Sequence, residues 1–167
     1  METYSKKDTS SFLSDLASGH EGEIVFYNLL KKVVPTFRTD GKKSDVEFLL
    51  DNTKLKAEVK FDKKSDKTGN IAVEYGNPKS GKDTGLLSSD SDLWAIVMTS
   101  GEVWVSPTAK FKLFFDKTPG RDMIGVGDGN SNCRLYKKEV LLGSIFTRVD
   151  NLCAYETRVL LFDMFVC

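Results

Sequence analysis

The stretch DVEFLLDNTKLKAEVK, residues 45–60, constrains the fold more than any other part of the sequence. Apolar and polar residues alternate through 45–50 and again through 55–61, and this period of two is typical of half-buried β-strands. The intervening Asp51-Asn52-Thr53 consists of turn-forming residues. We therefore predict a β-hairpin, on which the rest of the chain must build a sheet.

A helix is predicted immediately before this hairpin. Apolar residues recur there at the spacing i, i+3, i+4 and i+7: Phe26, Leu29, Leu30 and Val33. This spacing predicts a helix over about 18–34. Ser18 and Glu21 match the capping-box pattern at its start, and Pro35 ends it.

The remaining elements are predicted from shorter patterns. Strands are expected over 70–75, 93–98 and 103–105, loops over 76–92 and 125–132, a helix after Pro107, and closing elements over 135–145 and 159–166. Trp94 and Trp104 are expected in the core, and the apolar tail 158–167 forms either an interface or a final core strand. The order of elements predicts an α/β (α+β) fold with a central mixed β-sheet flanked by helices.

The composition indicates one soluble globular domain spanning residues 1–167. Hydrophobic residues make up 40% of the chain and charged residues 29%. The sequence shows neither a secretory signal nor a run long enough to span a membrane, so we expect a cytoplasmic protein without membrane contact. Three widely spaced cysteines support neither a disulfide framework nor a structural zinc site.

The charge is balanced overall but not locally. Lys and Arg together number 24, as do Asp and Glu. The segment 54–67 nevertheless holds six lysines against three acidic residues. Two interpretations stay open: a solvated face, or a patch that contacts phosphate.

Three charged residues of the hairpin are candidates for chemistry. Glu58 and Lys60 share one face of their strand because side chains alternate, and Asp45 begins the neighbouring strand. If the strands pair, two carboxylates and an amine converge, and carboxylate pairs suit Mg²⁺ together with water and phosphate oxygens. The alternative is a weak ion pair on an exposed edge strand, with Asp45 capping a turn.

Asp45 followed by Glu58-Val59-Lys60 in the next strand, after an acidic helix, resembles the core of the PD-(D/E)xK nuclease superfamily, with Ser44 in place of the motif's proline. The resemblance implies a restriction-endonuclease-like αβββαβ core and a Mg²⁺-dependent DNA endonuclease in which Mn²⁺ can substitute. Asp45 and Glu58 would bind the metal, and Lys60 would assist the attacking water.

Family members often carry a further metal-facing glutamate on the first helix. Glu23 is the candidate here, because it shares a helical face with Phe26 and Leu30. The alternative is that Glu23 only favours the positive helix N-terminus. The same resemblance makes Glu74 a further ligand or contact, and the candidate nucleic-acid-binding residues are Lys56, Lys63, Lys64, Lys67, Lys79 and Lys82.

The sequence leaves the substrate open. The DNA endonuclease is either site-specific, as in homing, or specific for branched DNA, as in Holliday-junction resolution. An RNA endonuclease of the same superfamily is the alternative that the single histidine, His20, keeps open, and a non-catalytic nucleic-acid-binding module is another. A homodimer with one site for each strand is compatible with the first interpretation. The roles of Glu21 and Glu47 also stay open.

Overall fold

The computed structural model describes residues 19–39, 44–127 and 129–166. Its strands are β1 Thr36–Arg38, β2 Val46–Leu50, β3 Thr53–Asp62, β4 Asn70–Gly76, β5 Leu93–Met98, β6 Val103–Pro107, β7 Arg121–Val126, β8 Ser131–Lys137 and β9 Thr147–Arg148. Its helices are α1 at 19–30, α2 Ser65–Thr68, α3 Gly85–Ser88, α4 Thr108–Lys117, α5 Lys138–Ile145 and α6 Ala154–Phe165. None of the helices in these described ranges is long and apolar enough to cross a bilayer.

The strands form two sheets. The larger has six strands in the order β1-β2-β3-β5-β6-β9, and the smaller has three in the order β4-β8-β7. Strands β3 and β5 are parallel while their neighbours pair antiparallel, so the large sheet is mixed. Helices lie against it, which confirms the predicted α/β (α+β) class with a central mixed β-sheet flanked by helices.

The predicted hairpin is confirmed in detail. Strands β2 and β3 pair antiparallel, with Val46 opposite Ala57. Asp51 and Asn52 both have positive φ, 48° and 64°, as a two-residue type I′ turn requires. This turn matches the twist of the flanking strands, and it fixes the register that carries Asp45 alongside the middle of β3.

The large sheet is covered on both faces. One face packs against α1 and α6 through residues such as Phe26, Leu30 and Leu161. The other packs against the small sheet, α3, α4 and α5, with Phe111 and Leu141 fully buried. Strand β5 lies between these two cores, which explains why its sequence LWAIVM is apolar throughout rather than alternating.

Helix α1 lies directly over the end of β3. A Cβ built on Gly22 would lie only 2.9 Å from Cβ of Phe61, so the absence of a side chain at Gly22 allows this close approach. The helix ends earlier than predicted, because the amides of Val33 and Val34 both bond to the carbonyl of Leu30 and tighten its last turn. The predicted cap at Ser18 lies outside the described residues.

The second half of the chain departs from the sequence prediction. The expected loop 125–132 is only the tip of the β7–β8 hairpin, and the expected element 135–145 is the end of β8 followed by α5. The tail expected as an interface or a core strand is helix α6. Its start is set by Glu156, whose carboxylate accepts a hydrogen bond of 2.8 Å from the Cys153 amide, and Leu161 packs into the core.

Smaller differences concern the segment 76–92 and the tryptophans. The predicted loop contains the four-residue helix α3 and a bridge between Gly76 and Asp83, both too short to produce a periodic pattern. Leu86 of α3 is buried in the second core. Trp94 is buried as predicted, whereas Trp104 is only partly buried and donates from Nε1 to Glu102.

Candidate active site between the two sheets

A cleft of about 810 Å³ separates the end of β3 from the small sheet. Helix α1 and β3 form one side, and β4, β7 and β8 form the other. Its charged lining residues are Glu23, Asp45, Lys60, Asp62, Lys63, Lys64, Glu74 and Arg121. The cleft therefore contains three of the four predicted catalytic residues, and the fourth, Glu58, contacts one of them.

Asp45 is held rigidly across the hairpin. Its amide donates to the carbonyl of Ala57 over 3.1 Å, and its carboxylate Oδ2 accepts a hydrogen bond of 2.7 Å from the amide of Val59. The carboxylate thus lies beside the backbone of β3, next to the residue that carries the second predicted acid. Among the described residues, no hydrogen bond to its other oxygen, Oδ1, is found.

Glu58 and Lys60 form a close ion pair on the same face of β3. Lys60 Nζ lies 2.6 Å from Glu58 Oε1 and 5.6 Å from the centre of the Trp94 ring. The Glu58 side chain is 21% exposed and that of Lys60 is 49% exposed. Strand β3 is interior, flanked by β2 and β5, so the alternative of an ion pair on an exposed edge strand is wrong.

The electrostatics of Asp45 reflect crowding of negative charge. Burial, then the charge of Glu58 and more weakly that of Glu23, raises the pKa of Asp45 to about 6, although the Val59 amide and Lys60 oppose the rise. The pKa of Lys60 is lowered by burial, but Glu58, Asp45 and Glu74 outweigh that effect and leave it above its usual value. Lys60 is therefore an ammonium at neutral pH.

Glu23 reaches the cleft from α1 and is 19% exposed. Its Oε2 lies 3.3 Å from Nδ1 of His20 and accepts a hydrogen bond of 3.4 Å from Arg38. Its carboxylate thus has the guanidinium of Arg38 and the imidazole of His20 as neighbours, in addition to the carboxylate of Asp45. Glu47 is not brought to the cleft, because it pairs with Lys54 on the hairpin.

The carboxylates of Asp45 and Glu58 are the candidate ligands for a hard divalent cation. Within residues 19–39, 44–127 and 129–166, no group of three or more His, Cys, Asp or Glu side chains could hold a metal ion. Mg²⁺ needs only one or two carboxylates when waters and phosphate oxygens complete its shell. Asp45 and Glu58, whose charges interact, could form such a set, and the ligand roles of Asp45, Glu58 and Glu23 all stay predictions.

The six predicted nucleic-acid-binding lysines are spread over the surface. Lys63 and Lys64 line the cleft. Lys56 instead lies 3.0 Å from Asp90. Lys67 on α2, and Lys79 and Lys82 in a loop shaped by the Asn77 carboxamide, are exposed and do not line it.

The far side of the cleft was missed by the sequence analysis. Glu74 on β4 faces Lys60, as the prediction of a further contact allowed, but Arg121 and Met123 on β7 were not identified. Cys133 also lines the cleft, and burial raises the pKa of its thiol. Neither β7 (RDMIGV) nor β8 (SNCRLYK) has the alternation of apolar and polar residues that would have marked it as a strand.

The fold is shared with a solved structure. A bacterial homing endonuclease matches with a TM-score of 0.53 and 17% sequence identity, over 90% of this chain and 94% of the other. Scans against protein-family models and against curated proteins find no match. At this identity the likeness shows a common fold, with its mixed sheet and flanking helices.

Proposed function

We propose that this chain is a metal-dependent DNA endonuclease of the PD-(D/E)xK type, which hydrolyses phosphodiester bonds. The observation that carries the proposal is that Asp45 and Lys60 line one cleft and that Glu58, whose charge acts on Asp45, forms an ion pair with Lys60 at its edge. The fold shared with a homing endonuclease supports it.

The crowding of carboxylates supports a bound cation. Burial first, and then repulsion between the two acids Asp45 and Glu58, raises the pKa of Asp45 to about 6. Mg²⁺ held by Asp45 and Glu58 would relieve the repulsion. When bound, the metal would supply Lewis acidity to a phosphate oxygen and acidify a coordinated water.

The chain's own residues have distinct tasks in this proposal. The Val59 amide fixes the orientation of Asp45, and Glu58 fixes the position of the Lys60 ammonium. Because its raised pKa keeps Lys60 protonated, it acts as a hydrogen-bond donor that orients water or stabilises charge on the phosphate, rather than as a base. Glu23 completes the acidic side of the cleft.

Cleavage assays on several substrates test this function. Purified protein would be incubated with supercoiled plasmid, a synthetic four-way junction and a structured RNA, each in Mg²⁺, Mn²⁺ or EDTA. We expect DNA cleavage in either metal and none in EDTA. Preference for the junction would indicate a resolvase-like enzyme, and cutting at a few plasmid sites would indicate a site-specific one.

Matched glutamate variants localise the activity. Glu58→Gln should reduce the cleavage rate by about 10²–10⁴-fold, whereas Glu47→Gln, which changes an acid on the neighbouring strand outside the cleft, should leave it unchanged. Cleavage of the RNA but of neither DNA substrate would indicate an RNA endonuclease instead. Nucleic-acid binding that is indifferent to divalent metal, without cleavage of any substrate, would overturn the enzyme in favour of a nucleic-acid-binding module.

A further inference from the structure

The charges lining the cleft balance each other. Four acidic residues, Glu23, Asp45, Asp62 and Glu74, face four basic ones, Lys60, Lys63, Lys64 and Arg121. A cleft without excess positive charge attracts a polyanion weakly, so binding there depends on cations that are not already neutralised. The charge of Lys60 is already neutralised by its ion pair with Glu58.

Arg121 is such a cation. It is exposed at the start of β7, the outer strand of the small sheet, and its side chain lines the cleft. Within the described part of the chain, its guanidinium forms no hydrogen bond or ion pair. Among the described residues, the Arg121 side chain therefore has no polar partner, and its five N–H groups can donate to a ligand.

The neighbouring acid cannot neutralise Arg121. Asp122 points to the other face of the strand and binds Arg134 through two hydrogen bonds of 2.7 and 3.3 Å. Arg134 is itself fixed by a hydrogen bond of 3.1 Å to the carbonyl of Phe115, above whose ring it lies. This pairing leaves the cleft-facing side of β7 with one positive charge.

We propose that β7 forms the second wall of the nucleic-acid channel and that Arg121 binds a backbone phosphate there. The inference rests on the proposed function and assigns the strand opposite the candidate catalytic residues to the substrate. A guanidinium can donate two parallel hydrogen bonds to one phosphate, which anchors the backbone in a fixed orientation. Met123, two residues further along the same face, offers an apolar contact to the adjoining sugar or base.

Equilibrium binding with a matched arginine control tests the inference. Affinity for a fluorescein-labelled mixed-sequence DNA duplex would be measured by anisotropy in Ca²⁺, at several salt concentrations between roughly 50 and 200 mM. Arg121→Gln should weaken binding about tenfold and reduce the steepness of the log–log salt dependence by about 0.9. Arg158→Gln removes an equal charge from the exposed side of α6, outside the cleft, and this variant should bind like the wild type.

Further readouts separate a substrate contact from a structural role. Arg121→Gln should raise KM with kcat nearly unchanged and leave the melting temperature unchanged, and Arg121→Lys should restore part of the affinity. Equal affinity and salt dependence in Arg121→Gln and Arg158→Gln would overturn this inference while the wild type still cut DNA. A wild type that neither bound nor cut nucleic acid would overturn the proposed function itself.

Discussion

Asp45 lies in surroundings that are electrostatically unfavourable for a carboxylate. Its carboxylate is partly buried and lies next to Glu58, and a hydrogen bond from the Val59 amide and the charge of Lys60 compensate for this in part. A site selected only for stability would place a neutral side chain here. A cation bound at this position during catalysis would offset the unfavourable electrostatic energy of the carboxylate.

Asp45→Asn should therefore stabilise the folded protein while abolishing metal-dependent cleavage. Because the pKa of Asp45 rises from 3.8 to about 6 on folding, the native state binds the proton more tightly, and stability falls as pH rises through that interval. The gain from Asp45→Asn should therefore build up as pH rises from about 4 to about 6, be complete above about pH 6, and be smaller at pH 5 than at pH 8. Discounted for solvent screening, it should be on the order of 1 kcal/mol at pH 8.

Urea unfolding at both pH values measures this difference, with Asp116→Asn on the exposed side of α4 as the control for losing one negative charge. A gain from Asp45→Asn that was equal at pH 5 and pH 8 would show that burial and repulsion at Asp45 are not its cause.

At the scale of elements, the approach of α1 to β3 positions Glu23. Gly22 touches Phe61, so the helix carries its acid to the cleft only because residue 22 has no side chain. Glu21 and Glu23 flank Gly22 in the sequence EGE, and of these two glutamates Glu23 is the one that lines the cleft. The preference for Glu23 over Glu21 in the sequence analysis agrees with this placement.

Gly22→Ala should destabilise the protein by about 1–2 kcal/mol, because displacing α1 from β3 outweighs the gain in helix propensity. Gly143→Ala is the matched control, since a Cβ at this position of α5 meets nothing within 4 Å and should stabilise by about 0.5–1 kcal/mol. Chemical denaturation distinguishes the two, and stabilisation by both variants would refute the close approach. Gly22→Ala should also slow cleavage, because Glu23 moves with its helix.

The elements that the sequence predicted well are those with strong local signals. Strict alternation and a turn with positive φ at two residues identified the β2–β3 hairpin, and a continuous apolar run identified β5. Helices α2 and α3 have four residues each, shorter than the repeat needed to recognise them. The β7–β8 hairpin was predicted as a loop because three glycines lie around its tip. These are Gly125, Gly127 and Gly129, and all three have positive φ.

At the scale of the whole molecule, one half of the candidate site could be predicted from local sequence patterns and the other half could not. Asp45, Glu58 and Lys60 lie on one hairpin, so pairing of adjacent strands was enough to bring them together. Arg121 comes from the second sheet, whose position over β3 depends on packing between distant segments, and Glu74 of the same sheet was named only through the family resemblance. No local pattern encodes that contact. The association of two copies, each cutting one strand, stays a prediction for sedimentation analysis of the purified protein.

Cleavage by two matched lysine variants tests the central claim most directly. Lys60 and Lys56 lie on the same face of β3, but Lys60 reaches the cleft beside Glu58 and Lys56 pairs with Asp90 outside it. In Mn²⁺ with plasmid DNA, Lys60→Ala should lower the single-turnover rate by about 10²–10⁴-fold, and Lys56→Ala should stay within about threefold of the wild type. Undiminished cleavage by Lys60→Ala, or an equal loss in both variants, would contradict the assignment of this cleft as the active site.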